Sequence, residues 1–471
     1  MRYTSMLARS ILALVCWCAA CCSASAAPKN VVLVVADDLG LTLGCYGNKT
    51  IKTPNIDAVA ADGALFTHAY CTTASCSPSR SVILTGLYNH ANGQYGLLHA
   101  PHHFTTLDNV VSLPARLREG GYRTARVGKF HVAPEEIYPF EHVVKGDARN
   151  GVEMAEACRE LIAEKGSRPL FLYFCTADPH RSGQFAKTGA KPNLFGNEST
   201  HAGIEERTYD PAEVTVPPFL VDTPACRAEL AQYYQSVSRV DQGVGRLIDI
   251  LKQTGHWDDT LLLFVSDNGV PFPGAKTTTY DAGLNLPCIV RNPYCRKRGV
   301  RSDAMISWAD LAPTILEFAG VQANKNKLHG RSFLSVLDHP AEPGWDEVYA
   351  SHTFHEVTMY YPMRVVRTRK FKLIWNLAHQ LPFPFASDLY RSSTWQDMLA
   401  HGPGARYGKR TVSQYVNRPR FELYDIELDP DETNNLAGDT RHAKTLSDML
   451  GKLKTFQERT GDPWLHKWEY E

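Results

Sequence analysis

The sequence has no charge bias: among its 471 residues, fifty lysines and arginines offset fifty aspartates and glutamates. Without a field of either sign there is nothing to steer a nucleic acid or an anionic surface, so any grip on a charged ligand has to be local. Internal repeats and low-complexity tracts are missing as well, which excludes a solenoid or a disordered polar chain. Beyond residues 1–27, no stretch approaches the roughly 18 consecutive apolar residues of a membrane span, so no transmembrane helix is expected.

Paired cysteine spacing is also lacking. Of twelve cysteines, Cys16, Cys18, Cys21 and Cys22 cluster near the start, without the Leu-small-small pattern of a lipoprotein anchor. The other eight, Cys45, Cys71, Cys76, Cys158, Cys175, Cys226, Cys288 and Cys295, are scattered. They are too sparse for a disulfide scaffold and contain no CxxC zinc pair, which leaves room for one or two bridges in an oxidising compartment. Arg2 and Arg9, an apolar run over 11–20, and the small residues Ala24 and Ala26 predict a secretory signal peptide over 1–27. Export to a periplasm or the exterior is expected, or to a lysosome in a eukaryotic host. Sequons stand at Asn48 and Asn197.

What the sequence does contain is four unbroken apolar runs, "NVVLVVADD", "RTARVGKFH", "PLFLYFCTADPH" and "DTLLLFVSDNG". They have the character of strands buried on both faces of a parallel sheet. Helical patterns separate them, the longest being "RAELAQYYQSVSRVDQGVGRLIDILKQTG". The alternation predicts an α/β wound sheet with helices on both faces over 28–345. Beyond it, "DEVYASHTF", "PMRVVRTRKFKLIWN" and "RFELYDIELDPDE" read as antiparallel strands, followed by a helix. A smaller α+β domain over 346–471 is expected, contributing to the substrate pocket.

Ligands of such a sheet gather outside the carboxyl ends of its strands. Those ends carry Asp37 and Asp38, Lys129 and His131, Asp178 and His180, and Asp267 and Asn268. Any one of them alone is a cap, a surface lysine, a core histidine or a turn. Together, the acidic and amide oxygens make a cage for a hard cation, while the lysine and histidines face an anion.

Cys76, in "TTASCSPSRSVILTG", sits where Pro78 begins a helix whose N-terminus favours an anion. A buried structural thiol would prefer apolar neighbours to Ser75, Ser77, Ser79 and Arg80. A thiolate nucleophile would be activated by the helix end and Arg80, yet soft sulfur fits poorly beside a hard cation. A third reading replaces the sulfur.

"CSPSR" followed by "SVILTG" resembles the sulfatase signature C-x-P-S-R-x-x-x-L-T-G, whose cysteine is converted to formylglycine. "ADDLG", "GKFH", "DPH", "SDNG" and "ELYDIELDPDETNNLA" resemble sulfatase segments in the right order along nearly the whole chain. "YDPAEVTVPPFLVDTPACRAELAQYY", "SDNGVPFPGAKT" and "HEVTMYYPMR" resemble the sulphamidase branch. The resemblance implies an alkaline-phosphatase-like sheet and hydrolysis of the N-sulfate of terminal N-sulphoglucosamine in heparan sulfate or heparin fragments.

It further implies calcium, in preference to magnesium, held by Asp37, Asp38, Asp267, Asn268 and the modified Cys76. Arg80 and Lys129 would position formylglycine, and His131 would bond its hydrate. His180 would contact the leaving atom, Asp178 the substrate, and Lys276 the sulphuryl group. His355 and Glu356 would recognise sugar hydroxyls, or else pack the domain interface. Arg364 would read a uronate carboxylate or form an interdomain salt bridge. Two positions depart from the pattern: Lys276 stands where arginine is usual, losing the bidentate fork, and Ser182 replaces a cysteine, so that disulfide is not carried over. The implied partners are a sulfated glycosaminoglycan oligosaccharide and a formylglycine-generating enzyme; a homodimer is compatible. Competing activities are an O-sulfatase, a phosphodiesterase or phosphonate hydrolase on the same scaffold, and a sulfated-glycan-binding protein in which Cys76 stays unconverted.

Overall fold

The computed structural model describes residues 29–182, 194–322 and 328–470. The expected signal peptide lies outside them. An eight-stranded sheet forms the larger layer. In chain order its strands are β1 (Asn30–Ala36), β2 (Ala64–Phe66), β3 (Arg123–Gly128), β4 (His142–Val144), β5 (Leu170–Cys175), β6 (Thr260–Ser266), β7 (Cys288–Arg291) and β8 (Val300–Ser302). Across the sheet the order is β4-β3-β5-β1-β6-β7-β2-β8. The four apolar runs are β1, β3, β5 and β6, and they form the parallel centre, with Val31 opposite both Phe171 and Leu261. Their burial on both faces explains why they read as continuous runs rather than alternating ones. The sheet is nevertheless mixed, because the short β7 runs antiparallel to β6 and β2.

Parallel order places the ends of β1, β3, β5 and β6 at one edge of the layer. Two local features shape that edge. Gly128 closes β3 with φ +79°, and a Cβ there would lie 2.0 Å from the Cys175 carbonyl oxygen, so only glycine lets the chain turn into Lys129. Helix α1 (Cys76–Thr85) begins after an extended Ser75 and ends at Gly86 with φ +69°, and all ten of its residues are buried. Its N-terminus meets the strand ends. A long helix, α2 (Pro224–Gln253), supplies Glu229, which pairs with the buried Arg181 at 2.7 Å and holds the loop after β5 from behind.

The second sheet is an antiparallel meander of β9 (Glu347–His352), β10 (Met363–Thr368), β11 (Phe371–Asn376) and β12 (Phe421–Asp425). Helix α3 (Ala443–Thr460) covers it through Met449, Leu453 and Phe456. One buried apolar cluster contains residues of both sheets, Val31 and Leu263 together with Val348 and Trp375. All eight cysteines among the described residues are free thiols, so neither of the bridges the composition allows is formed.

Candidate active site

The strand ends converge on α1. Asp37, Asp38, Asp267 and Asn268 are all fully buried. Asp38 takes φ +66°, and its N–H donates to Asp267 Oδ1 at 3.0 Å. Asn268 Nδ2 donates to Asp38 Oδ1 at 2.6 Å. Arg80 reaches back from α1, donating from Nε to Asp267 at 2.9 Å and pairing with Asp37 at 3.5 Å. Lys129 pairs with the other Asp37 oxygen.

Cys76 Sγ, Asp37 and Asp267 offer ligand atoms within 4.8 Å of one another. Asn268 Oδ1, also buried, has no hydrogen-bond partner among the described residues. Burial alone would raise the Asp37 carboxyl, but Lys129, His180 and Arg80 outweigh it and hold it well below the usual range. Asp267 is raised by burial and by the neighbouring Asp37. Three crowded carboxylates with an orphaned amide oxygen fit a hard divalent cation. Burial pushes the Cys76 thiol well above its ordinary value despite Lys129 and Lys276, the opposite direction to the one a thiolate nucleophile needs.

Across from the oxygens stand the cationic groups. Lys276 Nζ donates to Asp38 Oδ2 and to Asp388 Oδ2, both at 2.9 Å, and lies 3.1 Å from His180 Nε2. An ammonium can only donate, so Nε2 is the acceptor and the ring proton sits on Nδ1, which donates to the Arg181 carbonyl at 2.7 Å. The nitrogen turned toward Lys276 and the carboxylates is therefore Nε2. His131 takes φ +61°; its Nε2 lies 2.9 Å from His99 Nδ1, and its buried Nδ1 has no partner among the described residues.

These groups open into a cavity of about 370 Å³. Cys76, Lys129, His131, His180, Lys276, His355 and Glu356, all singled out in the sequence, line it. His355 Nδ1 lies 2.8 Å from Ser75 Oγ, tying the second sheet's loop to the start of α1. Both Glu356 oxygens accept from Ser387. A larger depression, about 700 Å³ around Asn55, Gln242 and Asp249, contains none of these residues.

Two expected substrate contacts are not brought to the cavity. Asp178 is buried, its carboxylate held by Arg149 at 2.6 Å and Arg239 at 2.8 Å, while its carbonyl accepts from the Asp37 N–H at 3.1 Å. It braces the strand ends instead of meeting substrate. Arg364 is fully buried in a bidentate pair with Asp462, with one N–O distance of 2.9 Å. That leaves nothing to read a uronate, and the salt bridge lies within 346–471 instead of between the domains, so it is not the interdomain pair expected either. Sequence reasoning missed Asp388, Ser387 and His99, all in the cavity wall. Only "HAPHH" around His99 carried a signal, in its local density of histidines; "FASDLY" carried none.

The family model described as Sulfatase matches residues 29–321, and the model described as N-sulphoglucosamine sulphohydrolase, C-terminal, matches residues 275–382. The chain belongs to the sulfatase family. This sulfatase is 42% identical over 465 residues to N-sulphoglucosamine sulphohydrolase of Homo sapiens, covering 93% of the chain and 92% of that protein. A structure solved in complex with its substrate D-glucosamine-2-N,6-O-disulfate superposes with a TM-score of 0.66 at 22% identity, covering 93% of the sulfatase and 99% of that chain. The phosphonate monoester hydrolase of Agrobacterium radiobacter gives 0.63 at 20% identity, covering 92% and 96%. These two likenesses establish the shared fold and do not choose between activities.

Proposed function

We propose that this sulfatase hydrolyses the N-sulfate of terminal N-sulphoglucosamine in heparan sulfate or heparin fragments, with formylglycine made from Cys76 and calcium held by Asp37, Asp38, Asp267 and Asn268. The observation that carries the substrate is the likeness to the human N-sulphoglucosamine sulphohydrolase, which extends over 93% of the chain. Support also comes from the C-terminal model, which spans Lys276, His355 and Glu356 in the cavity wall.

The hydrated aldehyde at position 76 would supply an oxygen nucleophile able to release sulfate by re-forming the aldehyde. A hard cation among the buried oxygens would supply charge neutralisation at the sulphuryl group. The chain's own residues do the rest. Arg80 locks Asp37 and Asp267 in place from α1. Lys129 faces the sulphuryl oxygens as a preorganised donor, of a kind worth roughly 3–4 kcal/mol in the transition state, and Lys276 adds its charge beside them while its three N–H groups go to Asp38, Asp388 and His180. As the S–N bond breaks, its electron pair goes to nitrogen, and the proton that lets the amine leave comes from Lys276 by way of His180 Nε2, which accepts from it at 3.1 Å. Arg181 holds that ring by its carbonyl and is itself held by Glu229.

On the same reading, residues 1–27 direct export, a formylglycine-generating enzyme converts Cys76, and residues 346–471 act as the unit that brings His355 and Glu356 to the sugar. No helix among the described residues is long and apolar enough to cross a membrane.

The test is sulfate release from a non-reducing-end N-sulphoglucosamine, set against 6-O-sulphated N-acetylglucosamine and a phosphate diester. Faster turnover of either competitor overturns the substrate assignment. Mass spectrometry over Thr72–Arg80 of natively produced protein checks the conversion of Cys76, and an unmodified cysteine would sink that part.

A further inference from the structure

A sulfamate and a sulfate ester present the same three sulphuryl oxygens. They differ at the bridging atom, which is nitrogen bearing one hydrogen in the sulfamate and oxygen bearing only lone pairs in the ester. Lys129 and Lys276 are donors, suited to the shared oxygens and unable to choose between the two.

Asp388 is different. It is a carboxylate, an acceptor only, and its side chain is 15% exposed in the cavity wall, whereas the Asp37 and Asp38 side chains are 0% exposed. Its Oδ2 accepts from Lys276 at 2.9 Å and its Oδ1 from the Leu389 N–H at 2.9 Å. Each carboxylate oxygen takes about two hydrogen bonds, so both retain a free lone pair. Oδ2 lies 3.8 Å from His180 Nε2. Lys276 Nζ bridges the two on one side, at 2.9 and 3.1 Å; on the side of the cavity that both residues line, a second atom about 2.9 Å from each fits, and a leaving atom there receives the proton passed on through Nε2.

We infer that Asp388 selects N-sulfate over O-sulfate by accepting the N–H that only a sulfamate carries at its bridging atom. An ester oxygen in the same place sets its lone pairs against a carboxylate. Sites built to bond a substrate N–H reject the analogue lacking it by roughly 10⁴–10⁵-fold. The inference rests on the N-sulfate reading above. Glu356, the other carboxylate in the wall, accepts one hydrogen bond on each oxygen, both from Ser387, and so holds the turn that presents Asp388.

The experiment compares kcat/KM for N-sulphoglucosamine and for its isostere 2-O-sulphoglucose in the wild type, Asp388→Asn and Asp388→Ser. In both variants the N-sulfate value falls roughly 10–100-fold, as for a lost bond to a charged group, while the O-sulfate value falls far less, so the ratio narrows about tenfold or more. Equal losses on both substrates, the result of a residue that merely steadies Lys276, would overturn the inference while leaving the N-sulfate reading intact. A wild type that prefers the O-sulfate overturns both. If neither variant folds, the wild type alone decides with the N-methylated sulfamate, which lacks the N–H: slower turnover than the parent is expected, and equal turnover refutes the role.

Discussion

Glu356 accepts two hydrogen bonds from Ser387, one from the backbone N–H at 2.7 Å and one from the hydroxyl at 2.9 Å. The first places a carboxylate at the N-terminus of the four-residue helix Ser387–Tyr390, and through it fixes Asp388. Glu356→Ala releases that turn. An N-sulfate kcat/KM lower by roughly 10–100-fold is expected, with little change in thermal midpoint because the segment is at the surface. Unchanged kinetics would show that the turn holds itself.

Lys276 neutralises two carboxylates at once. Lys276→Met keeps the length and removes the charge, leaving Asp38 and Asp388 uncompensated in a buried setting, a loss of about 3–5 kcal/mol. Steady-state assays should show a fall beyond ~100-fold. Lys276→Arg should retain much more activity, since the charge is kept; similar losses in both variants would mean that shape, and not charge, is what this position provides.

The crowding of Asp37, Asp38 and Asp267 predicts a stabilising cation. Calcium at about a hundred times its dissociation constant adds roughly 2.7 kcal/mol to the folded state by mass action. Differential scanning fluorimetry after chelation should show a midpoint rise of a few degrees on adding calcium, with a smaller one for magnesium. A flat response to both ions argues against the site.

Buried histidines make the fold acid-sensitive. His90 lies between Ser351 and Thr460 at 2.9 Å from each, and burial drives its pKa down to about 3; His352 is likewise lowered to about 3. The unfolded chain protonates these rings near the ordinary value of about 6.5 while the folded one does not. Stability is therefore full above that value and is lost as pH falls from about 6.5 toward 3. At pH 5 each ring costs about 2 kcal/mol. Urea unfolding at pH 7.5 and pH 5 should differ by that much less in His90→Gln, and an identical difference would remove His90 as a cause.

Arg364 and Asp462 are both fully buried. Arg364→Leu strands the carboxylate and should cost about 3–5 kcal/mol of stability, read from denaturant midpoints. KM for substrate should stay within about twofold, because the guanidinium does not line the cavity. A raised KM with intact stability would restore the uronate-reading role.

The central strands and the residues at their ends were legible because β1, β3, β5 and β6 are buried on both faces and write themselves as unbroken apolar runs. The chemistry concentrates where such runs stop. β7 escaped notice because four residues, "CIVR", are too short to carry a pattern. The roles of Asp178 and Arg364 were not legible, since nothing local tells a carboxylate facing substrate from one facing Arg149 and Arg239.

By itself the sequence determined the sulfatase signature around Cys76, the oxygen-rich strand ends, and the pairing of lysines with histidines opposite them, all of which are set by residues close to one another along the chain. Only the tertiary structure decided what stands beside His180 and Lys276. Lys276 and Asp388 are 112 residues apart in sequence, and they meet because the two sheets share one apolar core, a burial energy to which neither polar residue contributes.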